Sequence, residues 1–176
     1  MRKAALGFVL ALAASPALAT GLEITIEGEG ANGVVVIDLL EEIAPGHAER
    51  LATLAQDGAY DGVAFHRVIE GFMAQTGDPN GNGTGGSNLP DLRAEFNDVA
   101  YERGVVGMAR AQNPHSANSQ FFIMFKEGRF LDGQYTAFGK VVSGMEFVDA
   151  IKRGQGANGM VSNPDKIAKM RTADKY

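Results

Sequence analysis

An arginine and a glutamine lie close together in a stretch that also carries several large apolar residues, Phe65 to Asp78 (FHRVIEGFMAQTGD). A guanidinium among apolar groups is costly unless it is hydrogen-bonded, and the amide carbonyl of Gln75 offers Arg67 an acceptor. Such a pair would hold a cationic donor in a fixed place beside an apolar surface. The alternative is an arginine whose charged end reaches water from a sheet edge, and this stretch alone does not separate the two.

The element that must position this pair is a bent pair of strands. β-Branched and aromatic residues dominate the stretch until it breaks at Glu70-Gly71 and then resumes, which predicts two short strands around a bend. Side chains alternate along a strand, so Arg67 shares one face of the first strand with Ile69. The glycine lets the second strand re-aim its side chains, Gln75 among them.

The preceding segments predict a hairpin and a helix. Alternating apolar residues from Leu22 to Leu40 predict a β-hairpin with its turn near Gly28 to Gly33. The period then becomes helical, with Pro45 suited to a first turn and Gly58 able to end the helix. We expect His47, in that first turn, to be solvated rather than a ligand.

The second half of the chain predicts strands with one more helix. Val105 to Ala109 resembles a strand, Arg110 to Ser119 a polar loop, and Gln120 to Phe125 a strand that is apolar on both faces. Ser143 to Glu146 has the pattern of a capping box that opens a helix. Asp165 to Met170 completes the set as a last strand.

The most glycine-rich part of the chain is Gly77 to Gly86, GDPNGNGTGG. A phosphate-binding loop would be followed by a lysine and a serine or threonine, and neither that pair nor a helix follows here. We therefore interpret the segment as a shaped loop beside a groove, where glycine lets backbone approach a neighbouring group closely.

The first 19 residues have the pattern of a secretory signal. Arg2 and Lys3 precede an apolar run, and Ala17-Leu18-Ala19 supplies a small-x-small cleavage site. The apolar run is too short to span ~30 Å of hydrocarbon comfortably, which disfavours a membrane anchor. We expect residues 1–19 to be a signal peptide cleaved after Ala19, and residues 20–176 to be one periplasmic domain that is free of the membrane.

The amino-acid composition argues against several classes of function for this chain. Of the 16 basic and 21 acidic side chains, two basic ones lie in the signal, so residues 20–176 carry a formal net charge of −7. That charge argues against nucleic acid as a partner. The chain has no cysteine, so no disulfide framework supports the fold. Its three histidines show no metal-ligand spacing, and we expect neither a metal nor a cofactor.

The Phe65 to Asp78 stretch resembles the signature of the cyclophilin family of peptidyl-prolyl cis-trans isomerases. The family's other motifs follow in the family's order: Gly83–Gly86, Gly107–Ala111, Ser119–Ile123, Phe130–Gly133 and Phe138–Val141. The resemblance extends from about Leu22 to Met170. It implies a mainly β fold, a closed eight-stranded antiparallel β-barrel capped by two α-helices.

The resemblance also implies an activity, which is rotation about X-Pro peptide bonds during folding of exported proteins. Arg67 would stabilise the twisted amide, and no nucleophile or general base would be needed. The implied catalytic residues are Arg67, Gln75, Phe72 and Phe122. The residues implied to bind proline-containing segments are Ile69, Met73, Gly83, Ala109, Arg110, Ala111, Gln120, Phe130, Leu131 and Tyr135. We expect a monomer.

Within the resemblance, two positions depart from the best-known eukaryotic pattern. Phe130 stands where those members carry tryptophan, and Tyr135 where they carry histidine. Neither replaced group is the implied donor, so isomerisation should persist while cyclosporin binding weakens. Arg110 also occupies a position where asparagine is common.

Two alternatives to an isomerase stay open. A chaperone or scaffold could bind proline-containing segments without important turnover, but a pure binding module could dispense with Arg67 and Gln75, and both are present. A hydrolase using Asp78 and Glu95 is disfavoured because no serine or cysteine nucleophile accompanies them.

Overall fold

A computed structural model describes residues 20–174, so the predicted signal peptide lies outside the described residues. The described chain is mainly β, with eight antiparallel strands and two α-helices. The strands are β1 Thr20–Glu27, β2 Gly33–Leu39, β3 Arg67–Ile69, β4 Met73–Thr76, β5 Val105–Met108, β6 Phe121–Met124, β7 Ala137–Ser143 and β8 Lys166–Asp174. The helices are α1 Pro45–Gln56 and α2 Met145–Ala150, and Arg129–Leu131 forms one turn of 3-10 helix.

The sheet has the order β3-β4-β6-β5-β7-β2-β1-β8. The predicted hairpin is confirmed, since β1 and β2 pair in antiparallel register around the turn at residues 28–32. Alternation along β1 points Leu22, Ile24 and Ile26 into the core with no exposed surface. Helix α1 covers the same core with Leu51 and Leu54, spaced for one helical face. The helix predicted after Pro45 is therefore confirmed.

The expectation of a closed barrel is wrong: the sheet is curled and open. The edge strands β3 and β8 do not pair with each other, because the outer edge of β3 hydrogen-bonds to the loop of residues 154–160. The Val68 N–H donates to the carbonyl of Gly159 (2.8 Å), and the Gly154 N–H donates to the carbonyl of Val68 (2.9 Å). Only residues 62–65, just before β3, reach residues 165–167 through isolated backbone hydrogen bonds.

The capping box expected at Ser143 to Glu146 is also wrong. Ser143 belongs to β7, where it pairs with Val36, and α2 begins after Gly144 without a side-chain cap. Gly144 has a φ of 81°, a conformation that a residue with a Cβ adopts at a cost. A sharp turn, rather than a cap, therefore separates this strand from its helix.

His47 is buried, which contradicts the expectation of a solvated first-turn residue. Its Nδ1 lies 2.5 Å from a carboxylate oxygen of Glu95, and the same carboxylate accepts the N–H groups of Gly46 and His47 (both 3.0 Å). Burial lowers the pKa of His47 despite this contact, so a neutral ring donates to the carboxylate. A residue far along the chain thus caps the first turn of α1.

A second buried carboxylate joins three separate segments at the end of the sheet. Asp165, which has no exposed surface, accepts the N–H groups of Gly30 (2.9 Å) and Lys152 (2.8 Å). The first belongs to the β1–β2 turn and the second follows α2. A Cβ on Gly28 or Gly30 would overlap this aspartate, so the turn packs directly on the carboxylate.

Candidate active site

The register of β3 and β4 brings Arg67 and Gln75 together, because they are direct cross-strand partners. Arg67 Nη1 donates to the side-chain carbonyl of Gln75 (3.1 Å), and its Nε donates to the backbone carbonyl of Asn158 (2.9 Å). The guanidinium is therefore hydrogen-bonded on two sides, by a strand and by the loop of residues 154–160. This confirms the predicted bend and the predicted pairing, and the Arg67 side chain is only partly exposed.

Gln75 is itself held by a chain of amide contacts. Its Nε2 donates to Oε1 of Gln120 (2.9 Å), whose own Nε2 donates to the carbonyls of Gly83 (3.1 Å) and Gly85 (2.8 Å). Each amide uses its carbonyl toward one neighbour and its NH2 toward the next. The chain fixes the acceptor that orients Arg67, while Nη2 of Arg67 has no hydrogen-bond partner among residues 20–174.

A cavity of about 480 Å³ lies beside this arginine. Its floor is apolar: Met73, Phe122 and Leu131 are at least nine-tenths buried, and Phe122 meets the Tyr135 ring edge to face at 5.9 Å. The residues implied to hold the proline ring thus line one cavity. The implied site residues that line it are Arg67, Phe72, Met73, Gln75, Gly83, Ala109, Arg110, Phe122, Phe130, Leu131 and Tyr135.

A second cavity of about 460 Å³ adjoins the first. It is more polar, lined by Ser116 and Asn118 with the glycine-rich loop, and Ala111 and Gln120 lie here. Four residues line both cavities and so lie between them: Gln75, Gly83, Ala109 and Arg110. An extended peptide with one residue in the first cavity would cross these four to reach the second.

A carboxylate gives the glycine-rich loop a defined shape, as expected of a shaped loop beside a groove. Asp78, 1% exposed, accepts the N–H groups of Asn80, Asn82 and Gly83. Burial opposes ionisation of this carboxyl group, but the backbone N–H groups lower its pKa on balance, so it stays charged. One carboxylate therefore holds three backbone N–H groups of the loop that lines the two cavities.

One implied site residue lies elsewhere, and several residues that line or support the site were not predicted. Ile69 lines neither cavity and packs beneath the apolar floor. His66 and Met160 line the first cavity, and Asn158 supports Arg67. His66 is buried, and burial lowers its pKa. It adjoins Arg67 in sequence, whereas nothing local marks Asn158 or Met160.

Sequence comparison gives one consistent result. A family model described as cyclophilin type peptidyl-prolyl cis-trans isomerase/CLD matches residues 22–172. A probable peptidyl-prolyl cis-trans isomerase of Brucella suis is 59% identical, with 78% of this chain and 76% of that protein covered. Peptidyl-prolyl cis-trans isomerase B of Bacillus subtilis is 41% identical, with 68% of this chain and 84% of that protein covered.

Comparison with solved structures points to the same family as the sequence comparison. A Cryptosporidium parvum cyclophilin type peptidyl-prolyl cis-trans isomerase, crystallised in the presence of the dipeptide Ala-Pro, superposes with a TM-score of 0.78 at 26% identity. The match covers 88% of this chain and 99% of that one. Family, relatives and fold therefore coincide with the arginine, glutamine and apolar cavity described above. The chain belongs to the cyclophilin family and is a peptidyl-prolyl cis-trans isomerase.

Proposed function

We propose that this isomerase acts through a single donor, Arg67, directed at the prolyl nitrogen of a twisted X-Pro bond. Resonance makes the amide planar and sets a rotational barrier of ~18–20 kcal/mol. In the twisted state the lone pair localises on the prolyl nitrogen and becomes a hydrogen-bond acceptor. A donor at that atom stabilises the twisted state more than either planar state, as catalysis requires.

The observation that carries the proposal is how Arg67 is held. Both of its hydrogen-bond acceptors are neutral carbonyl oxygens, of Gln75 and Asn158, so no carboxylate cancels its charge. Among residues 20–174 it takes part in none of the ion pairs. The proline ring would occupy the apolar cavity beside it, on Phe72, Met73, Phe122 and Leu131.

An isomerisation assay on residues 20–176 tests this function directly. The exchange rate of short X-Pro peptides should rise in proportion to enzyme concentration, with no metal or cofactor added. The competing function, a chaperone or scaffold, predicts that the same peptides bind without faster exchange. Binding without acceleration would therefore move the assignment to that alternative.

We further propose that the enzyme works after export, as a periplasmic monomer on proline-containing segments of unfolded proteins. Cleavage after Ala19 would leave the α-amino group on Thr20, whose nitrogen already donates to the Glu41 carboxylate. That carboxylate would pair with the new positive charge. No helix within residues 20–174 has the length and apolar character needed to cross a bilayer.

The mature protein should begin at Thr20. N-terminal sequencing of periplasmic material, after expression of residues 1–176 in a bacterial host, measures this directly. Size-exclusion chromatography of the same material should give the mass of one chain. Retention of Met1 to Ala19, or recovery from the membrane fraction alone, would contradict the export proposal.

Phe130→Trp should bind cyclosporin about two- to tenfold more tightly than the wild type. The substitution restores an indole N–H, and a net hydrogen bond contributes about 0.5–1.5 kcal/mol. Phe130 is 70% exposed, and its ring packs against that of Phe72 with 5.5 Å between the ring centroids. Because water reaches this position, we expect no additional cost for an unsatisfied buried acceptor.

Titration of both proteins with the drug measures the change. Phe130→Leu is the control, since it removes the ring without adding a donor and should not gain affinity. Equal affinities of wild type and Phe130→Trp would show that this position does not set drug sensitivity here.

A further inference from the structure

Arg110 lies where a bound peptide must cross from one cavity to the other. It lines both cavities, together with Gln75, Gly83 and Ala109. Under the proposed function the proline ring occupies the first cavity, and the residues before proline extend toward the second. The residue immediately before proline then passes over this shared wall, within reach of the Arg110 side chain.

The guanidinium of Arg110 is held in place by an aromatic ring and by backbone carbonyls. Its Cζ lies 4.5 Å from the centroid of the Tyr135 ring, a cation–π distance. Its Nε and Nη2 donate to the carbonyl of Gln134 (3.3 and 2.8 Å). Its Nη1 donates to the carbonyls of Ala111 (2.9 Å) and Gln112 (3.3 Å). Arginine has five N–H donors, so one on Nη2 remains for a ligand.

No ion pair among residues 20–174 neutralises the charge of the Arg110 guanidinium. All its acceptors are carbonyl oxygens, and among residues 20–174 Arg110 forms no ion pair. Asp91 is the single acidic residue that lines either cavity, and its Oδ1 already accepts from Asn118 (2.9 Å). With Arg67 beside the proline cavity, the groove is locally cationic on an acidic protein.

We propose that Arg110 is a specificity-determining residue that favours glutamate or aspartate immediately before proline. A carboxylate there gains the remaining N–H and the positive charge. A lysine meets two guanidinium groups instead, and no acidic residue of the described chain lines the first cavity. The inference rests on the proposed function, and it places the residues before proline, rather than those after it, over the wall shared by the two cavities.

Matched peptides that differ only in Glu-Pro, Gln-Pro or Lys-Pro test the inference. We expect kcat/KM for Glu-Pro to exceed that for Gln-Pro by about three- to fivefold, corresponding to about 0.6–1 kcal/mol for a partly exposed charge pair. Lys-Pro should be the slowest of the three. The Glu-Pro preference should shrink in 1 M salt, where the Debye length falls from about 10 Å to about 3 Å.

Three variants separate Arg110 from other sources of charge. Arg110→Gln should bring the Glu-Pro to Gln-Pro ratio to about one, and Arg110→Glu should invert the order so that Lys-Pro exceeds Glu-Pro. Arg171→Gln removes the same charge from a residue that lines neither cavity and should keep the wild-type ratio.

Each outcome bears on one proposal. Equal turnover of Glu-Pro and Gln-Pro by the wild type overturns the specificity inference and leaves isomerisation intact. A preference that survives in Arg110→Gln also overturns it and assigns the effect to Arg67 or to another group in the groove. Failure to accelerate any of the peptides would instead count against the proposed function.

Discussion

Arg67→Ala should lower kcat/KM for X-Pro isomerisation by at least about tenfold, and by as much as about a thousandfold. Tenfold corresponds to 1.4 kcal/mol of transition-state stabilisation, and removal of a single preorganised donor from other enzymes costs about 2.7–4 kcal/mol. The donor is held at two points, by Gln75 and Asn158, so little of its stabilisation is lost to reorientation. Its removal leaves the apolar cavity in place, and peptide binding should weaken less than turnover.

Two further variants define the role of the arginine. Gln75→Leu removes one of the two acceptors and should give a smaller loss than Arg67→Ala. Arg67→Lys keeps the charge but loses the planar fork that meets both carbonyls, so its activity should be well below that of the wild type. The melting temperature of each variant checks that the fold is retained. Near-normal turnover by a folded Arg67→Ala protein would exclude this residue as the donor.

Asp165→Ala should lower the free energy of unfolding by about 3–6 kcal/mol. The substitution leaves the N–H groups of Gly30 and Lys152 without their acceptor, and hydrogen bonds to a charged group contribute about 1.5–3 kcal/mol each. The side chain also fills the space beside Gly28 and Gly30. Urea denaturation of the two proteins, compared at equal m-values, measures the difference.

A matched pair of variants tests whether the buried position matters. Asp165→Asn keeps the shape and one acceptor oxygen, so it should lose about half as much stability as Asp165→Ala. Asp61→Ala removes an exposed carboxylate that pairs with Arg171 and should cost about 0–1 kcal/mol. Equal losses for Asp61→Ala and Asp165→Ala would show that the contacts of Asp165 do not stabilise the fold.

Local sequence was sufficient to predict an element wherever the residues that determine it are near each other in the chain. The first hairpin, helix α1 and the bend at Gly71 each depend on alternation, period or a glycine within a few positions. Gly71 has a φ of 70°, which explains why a glycine breaks the two strands. The pairing of Arg67 with Gln75 was predictable for the same reason, because a short hairpin fixes its own register.

The wrong expectations depended on residues distant in sequence. His47 has the setting of a solvated first-turn residue, yet Glu95 covers it from 48 positions away. Ser143 to Glu146 carries the letters of a capping box, but pairing of Ser143 with Val36 draws that residue into the sheet. The open edge of β3 is occupied by a loop that follows α2, and no periodicity in either segment indicates this contact.

The same distinction between local and distant residues separates the predicted from the unpredicted parts of the site. Its apolar floor and its glutamine chain come from motifs whose spacing is typical of the family. Asn158 contacts Arg67 only through its backbone carbonyl, which any residue type could supply, so the type of residue does not indicate this contact. Met160 reaches the cavity because that loop lies along β3, and only the three-dimensional structure places it there.

The contact between Arg67 and Asn158 joins positions 91 apart in the chain. Strand β1 likewise finds its outer neighbour only in β8, the last strand to be synthesised. Such non-local pairings form slowly, because loop-closure entropy is lost before the contacts form. A nascent chain that has emerged only through β7 would contain the residues of the apolar floor, but it would lack Met160 from the cavity and Asn158 from the support of its arginine. We therefore expect the arginine donor to be held on both sides only when the last part of the chain has joined the sheet, later than the apolar floor can form.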